Sequence, residues 1–113
     1  MVEKKELEEL LVRFQVENQQ LEAITVQKQR LLIEKSEIEN ALKELEKSKE
    51  VYKIVGPIII KAKPTELKKE LEEKKEEIEI RIKGLEKSEE KLKEMVEKDK
   101  EKIEKLLPSL QKS

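Results

Sequence analysis

The groups available for chemistry in this chain are carboxylates and amines. Asp and Glu number 27 and Lys and Arg 26, and there is no histidine and no cysteine. Disulfides and thiolate metal sites are therefore excluded. The acidic residues fall on helical faces without converging, and no glycine-rich phosphate loop or metal-ligand spacing occurs. An enzyme is the weakest reading, and no cofactor or metal is expected. The many neighbouring Glu and Lys residues read as solvated helix pairs, each worth a few tenths of a kcal/mol, roughly 0.2–0.5. A formal net charge of −1 leaves no basic face for nucleic acid and no polybasic membrane anchor.

The elements that must position these groups are set by composition. Among 113 residues, 47% are charged and 2% aromatic, the aromatics being Phe14 and Tyr52, with only 2 Gly and 3 Pro. A typical soluble domain is about 25% charged. Such a chain cannot build a thick globular core, yet 35% of it is apolar and periodic, so it is not disordered. The longest apolar run, Ile54 to Ile60, is far too short to span a membrane. The first residues lack the apolar stretch of a signal peptide, so a cytoplasmic protein is expected. The surfeit of Glu and Lys points to a heat-loving source.

Three segments separate by pattern. From about residue 3 to residue 50, Leu7, Leu10, Phe14, Leu21, Ile24, Leu31, Ile38, Leu42 and Leu45 recur at three- and four-residue steps. That is a heptad stripe on one helix face. The segment VYKIVGPIIIKAK, Val51 to Lys63, concentrates strand-forming residues around Gly56-Pro57. It predicts two strands, about 51–55 and 58–62. From Pro64 to about residue 107 a second stripe runs through Leu71, Ile78, Ile82, Leu85, Leu92, Val96, Ile103 and Leu106. Pro64 suits a first helical turn, Thr65 is a candidate cap, and Pro108 is expected to end or follow the helix. The expected fold is mainly α: one domain over 1–113, an antiparallel two-helix coiled coil with a central β-hairpin.

The two stripes fit one antiparallel register. Leu7 meets Leu106, Leu10 meets Ile103, Leu21 meets Leu92, Leu31 meets Ile82 and Leu42 meets Leu71. The midpoint of this pairing falls between residues 56 and 57, the turn located separately from its chemistry. Glu17, Lys28, Lys35, Lys75, Glu89 and Asp99 interrupt the stripes. Long side chains at such positions lay their stems on the seam and put their charges in water, fixing register.

The hairpin implies partners. An isolated two-stranded hairpin is marginal in water, and its edges leave N–H and C=O groups unpaired. Val51 and Val55 alternate with Tyr52 and Ile54, while Ile58, Ile59 and Ile60 run on without alternation, as in strands buried on both faces. Hairpins of several chains pairing into an intersubunit β-barrel in an oligomer is the expectation. The other possibility is a hydrophobic loop tucked against its own helices.

The helix–hairpin–helix plan and the segment VYKIVGPIIIK, with the Glu-, Lys- and Leu-rich helix after it, resemble the β class of the archaeal prefoldin family over nearly the whole chain. The single hairpin fits the β class; the α class carries two. The resemblance implies an ATP-independent co-chaperone, a hexamer of two α and four β subunits. In it the hairpins form a barrel platform, and coiled-coil tips grip unfolded proteins and pass them to a group II chaperonin. Carried onto this sequence, Val51, Tyr52, Ile54, Val55, Ile58, Ile59 and Ile60 would be oligomerisation residues.

Near the chain ends several apolar residues leave the stripe: Val2, Leu11, Val12, Val16, Met95, Leu107 and Leu110. Exposed apolar clusters mark contact surfaces, and a flexible Met and frayed ends suit varied clients. These seven are the candidate client-binding residues. Leu11 and Leu107 border the stripe and fit a widened seam equally well. A structural coiled-coil tether or adaptor is the competing function. It accounts for the heptads but not for the hairpin.

Overall fold

The structure is a computed structural model that describes the backbone of residues 2–111 and the side chains of residues 4–108. Helix α1 spans Val2–Lys47, strand β1 Val51–Val55, strand β2 Ile58–Ala62 and helix α2 Pro64–Gln111. Two long helices joined by a two-stranded antiparallel hairpin are the fold that the stripes and the central turn predict.

The helix ends follow local chemistry. α1 stops at Lys47 rather than at residue 50, because Ser48 competes with the helix. Its Oγ donates to the Glu44 carbonyl at 2.9 Å, and its N–H reaches the Leu45 carbonyl at 3.4 Å, a tighter turn than the α pattern. At the start of α2 the Leu67 N–H donates to the Lys63 carbonyl at 3.0 Å. Lys63 is thus the cap residue and Pro64 the first helical position, where a missing N–H costs nothing. Thr65 lies inside the first turn and is not the cap. α2 also runs through Pro108 to Gln111, past the expected stop near residue 107. The proline removes one hydrogen bond, to the carbonyl of Glu104, and both residues are exposed, so water can satisfy the freed carbonyl.

The hairpin pairs Val51 with Ala62, Tyr52 with Lys61, Lys53 with Ile60, Ile54 with Ile59 and Val55 with Ile58. Gly56-Pro57 is the two-residue loop. Gly56 has φ +57°, and proline fixes a negative φ after it. That order of signs belongs to a type II′ turn, whose twist matches that of the strands it joins. The hairpin register has its midpoint at Gly56-Pro57, as the sequence pairing requires.

Two compact units share the helices. A terminal unit comprises Met1–Lys28 and Gly84–Ser113, and a hairpin unit comprises Gln29–Lys83. In the terminal unit Leu7, Leu10 and Ile103 form a buried cluster against which Phe14 and Leu106 pack. Leu7 with Leu106 and Leu10 with Ile103 are pairs that the register sets opposite one another. In the hairpin unit Leu31, Ile38, Leu45, Ile78 and Ile82 are buried. Ion pairs cross from one helix to the other here, Lys35–Glu79 and Lys74–Glu34 at 3.6 Å and Lys75–Glu39 at 4.0 Å. Among the described residues every buried apolar one belongs to a predicted stripe, as in the seam of a coiled coil. Gly84 adds nothing to that seam: a Cβ there would meet no atom within 4 Å. No described helix is long and apolar enough to cross a membrane.

Candidate functional site

Alternation along the strands sorts the hairpin side chains onto two faces. One carries Val51, Lys53 and Val55 with Ala62, Ile60 and Ile58. Val51, Lys53 and Ala62 on this face are half-buried. The Lys53 ammonium is held by Glu70 of α2 at 2.7 Å and 2.9 Å. The other face carries Tyr52 and Ile54 with Lys61 and Ile59, all exposed; Ile54 is 75% and Ile59 68% accessible. The strands pair as a hairpin with one face fully exposed, so the segment is not a loop tucked against its own helices. Val55, Ile58 and Ile60 are also exposed. At the base, Lys61 and Glu50 form an ion pair at 3.9 Å, and the Tyr52 hydroxyl lies 3.4 Å from Glu50.

In the terminal unit Leu11, Val12, Val16, Met95 and Leu107 are exposed, Val12 most of all at 62%. The side chains of Val2 and Leu110 lie outside the described residues. Val12 shares a shallow depression with Lys5, Glu8, Glu9 and Arg13. Val26 is exposed as well; as an apolar residue off the stripe, it could have been found by the same sequence criterion.

The polar seam positions divide into those whose charge meets a partner at the edge of the seam and those whose charge stays inside it. Lys28, Lys35 and Lys75 are half-buried and end in ion pairs with Glu89, Glu79 and Glu39, as their long stems allow. Glu17 and Asp99 differ from the expectation. They are 3% and 5% accessible, so their charges are not in water. An aspartate with one methylene cannot reach past the seam, and Glu17 lies beside it. Arg13 of α1 compensates for one of them. Its Nε donates to Asp99 Oδ2 at 3.1 Å and its Nη2 to Oδ1 at 2.9 Å, the two-pronged pairing of guanidinium with carboxylate. Arg13 Nε is 3.8 Å from Glu17 Oε1, too far for a hydrogen bond. Neither Glu17 carboxyl oxygen has a hydrogen-bond partner. Arg13 was legible only in hindsight: it flanks the stripe within reach of the position facing Asp99.

Electrostatics follow this geometry. Hydrogen bonds from Arg13 hold the Asp99 carboxyl below its ordinary value, against the opposing effect of burial. Burial raises that of Glu17, the neighbouring Asp99 raises it further, and Arg13 offsets only part. A second polar group sits around Lys28, whose Nζ is 3.4 Å from Glu89 Oε1 and 4.0 Å from Glu86. Thr25 Oγ1 donates to the Leu21 carbonyl at 3.0 Å and lies 3.4 Å from Glu89 Oε2. Burial pushes Glu89 up, but Lys28, with help from Lys93 and Thr25, leaves it lowered. Among the described residues no group of three or more carboxylates is placed to hold a metal ion.

Comparison with known proteins agrees with this arrangement. The family model described as "Prefoldin subunit" matches residues 8–110. The crystal structure of the prefoldin beta subunit from Thermococcus strain KS-1 superposes with a TM-score of 0.82 at 33% sequence identity, covering 88% of this chain and 90% of that one. No curated protein is a significant sequence match.

Proposed function

The chain belongs to the prefoldin subunit family, and from that premise we propose that it is a β-class subunit of an ATP-independent co-chaperone. The family is one of chaperone components rather than of enzymes, and membership implies assembly with other prefoldin subunits. In the proposed assembly, two α and four β subunits form a hexamer in the cytoplasm of a heat-loving archaeon, each chain acting as one prefoldin-like domain without catalysis. Val51, Tyr52, Ile54, Val55, Ile58, Ile59 and Ile60 join hairpins of neighbouring subunits. Unfolded proteins bind at the terminal units through Leu11, Val12, Val16, Met95 and Leu107, with Val2 and Leu110 assigned the same role from sequence. Several such units multiply weak contacts, so clients are held without any tight single site and pass to a group II chaperonin as contacts release.

The observation that carries this reading is the hairpin. Two strands with unpaired edges and isoleucines 75% and 68% accessible are a surface for other strands. A simple tether has no use for it. Light scattering of the chain mixed with a prefoldin α subunit tests it. A hexamer is expected for the wild type, and its loss for Ile54→Glu combined with Ile59→Glu. A mixture that stays unassembled, or a hexamer indifferent to both substitutions, returns the chain to the class of tethers.

A further inference from the structure

Glu17 is the anomaly of the molecule. Buried carboxyl groups ordinarily accept hydrogen bonds, and one without any is costly. Here both oxygens are enclosed and unpartnered, on a residue 3% accessible. The arginine that could serve it spends two donors on Asp99. One guanidinium charge therefore faces two buried carboxyl groups. The remaining charged groups felt by the cluster lie further out: Glu9 acts on Arg13, and Lys102 acts on Asp99. They are opposite in sign and leave the deficit of one positive charge in place.

A metal ion does not fit, because two carboxyl groups with an arginine already on one of them make no ligand set. A proton fits. We propose that Glu17 and Asp99 form a one-proton binding site in the seam of the terminal unit, with protonated Glu17 donating to the carboxylate that Arg13 holds, and that emptying this site at higher pH loosens the seam. With the proton in place, the cluster is neutral and Glu17 gains its missing hydrogen bond. Without it, a carboxylate stands enclosed and unpaired in the seam. The direction of the Glu17 shift agrees: burial first, and then Asp99, raise it. The sign follows from linkage. Folded Glu17 keeps its proton to higher pH than unfolded Glu17. The contribution of Glu17 to stability therefore falls as pH rises from the ordinary glutamate value through the raised one, and is level above it.

This inference goes beyond the chaperone reading and does not depend on it. The test uses the full chain and Glu17→Gln, whose amide donates to Asp99 at every pH. Carbon-detected titration of glutamate side chains is expected to show one resonance titrating above the others, absent in the variant. Melting temperatures are compared at about pH 4, near the ordinary glutamate value, and at about pH 8. The wild type is expected to lose stability relative to E17Q between them, and E17Q to be the more stable at the higher pH. A Glu17 resonance that titrates with the other glutamates overturns the proposal, as does an E17Q chain less stable than the wild type at about pH 8.

Discussion

Asp99 and Arg13 form the best-defined polar contact of the terminal unit, and side-chain length explains why the sequence read it wrongly. Positions 17, 28, 35, 75, 89 and 99 were all legible as polar interruptions of the stripe. Periodicity gives the phase of a residue, however, and not whether its charge can escape the seam. Lysine stems can do so; Asp99 cannot, and its partner is recruited from the flank of α1. Because Arg13 holds the Asp99 carboxyl low, the pair stabilises the fold above the ordinary aspartate value and ceases to as pH falls through the folded one. Arg13→Met is therefore expected to be less stable than the wild type near neutral pH. The difference should close in strong acid, where Asp99 is protonated in both. Urea unfolding across that range measures it, and a difference independent of pH would assign the loss to packing of the arginine stem instead.

At the scale of elements, the heptad stripes and the hairpin were legible because both rest on strong local signals. Among the described residues eight apolar ones are buried in the seams, and all belong to the predicted stripes. The boundaries were not, because they depend on competition among a few hydrogen bonds. Ser48 bends the end of α1, the Lys63 carbonyl rather than a side chain begins α2, and a solvated position lets the helix tolerate Pro108. The contrast between seam and surface is sharpest on α2. Ile78 is 3% accessible, while Ile80, two residues on, is exposed. Ile78→Ala should cost about 2–4 kcal/mol through lost burial and a residual cavity. Ile80→Ala should change stability by less than about 0.5 kcal/mol. Chemical denaturation of the two variants separates them; equal losses would mean that Ile80 is covered in the assembled protein.

For the whole molecule, the plan of two helices and a hairpin was readable, and so was the family. The client-contact residues are a different case. Leu11, Val12, Val16, Met95 and Leu107 are exposed, but exposure on a single chain is equally a property of residues that meet another subunit, and no periodicity distinguishes the two. Removal of the last one or two turns at both chain ends separates them. The shortened chain should still form the hexamer with its α partner, by light scattering, and should lose suppression of aggregation of a denatured model protein. Retained protection would move the client contacts away from the ends. The hairpin also fixes how such experiments can be followed. The chain has no tryptophan and a single tyrosine, and Tyr52 stands on the exposed hairpin face beside Ile54 and Ile59. In the chain by itself its ultraviolet emission and its quenching by dissolved iodide thus read one location only, so the molecule carries its own optical probe of that face.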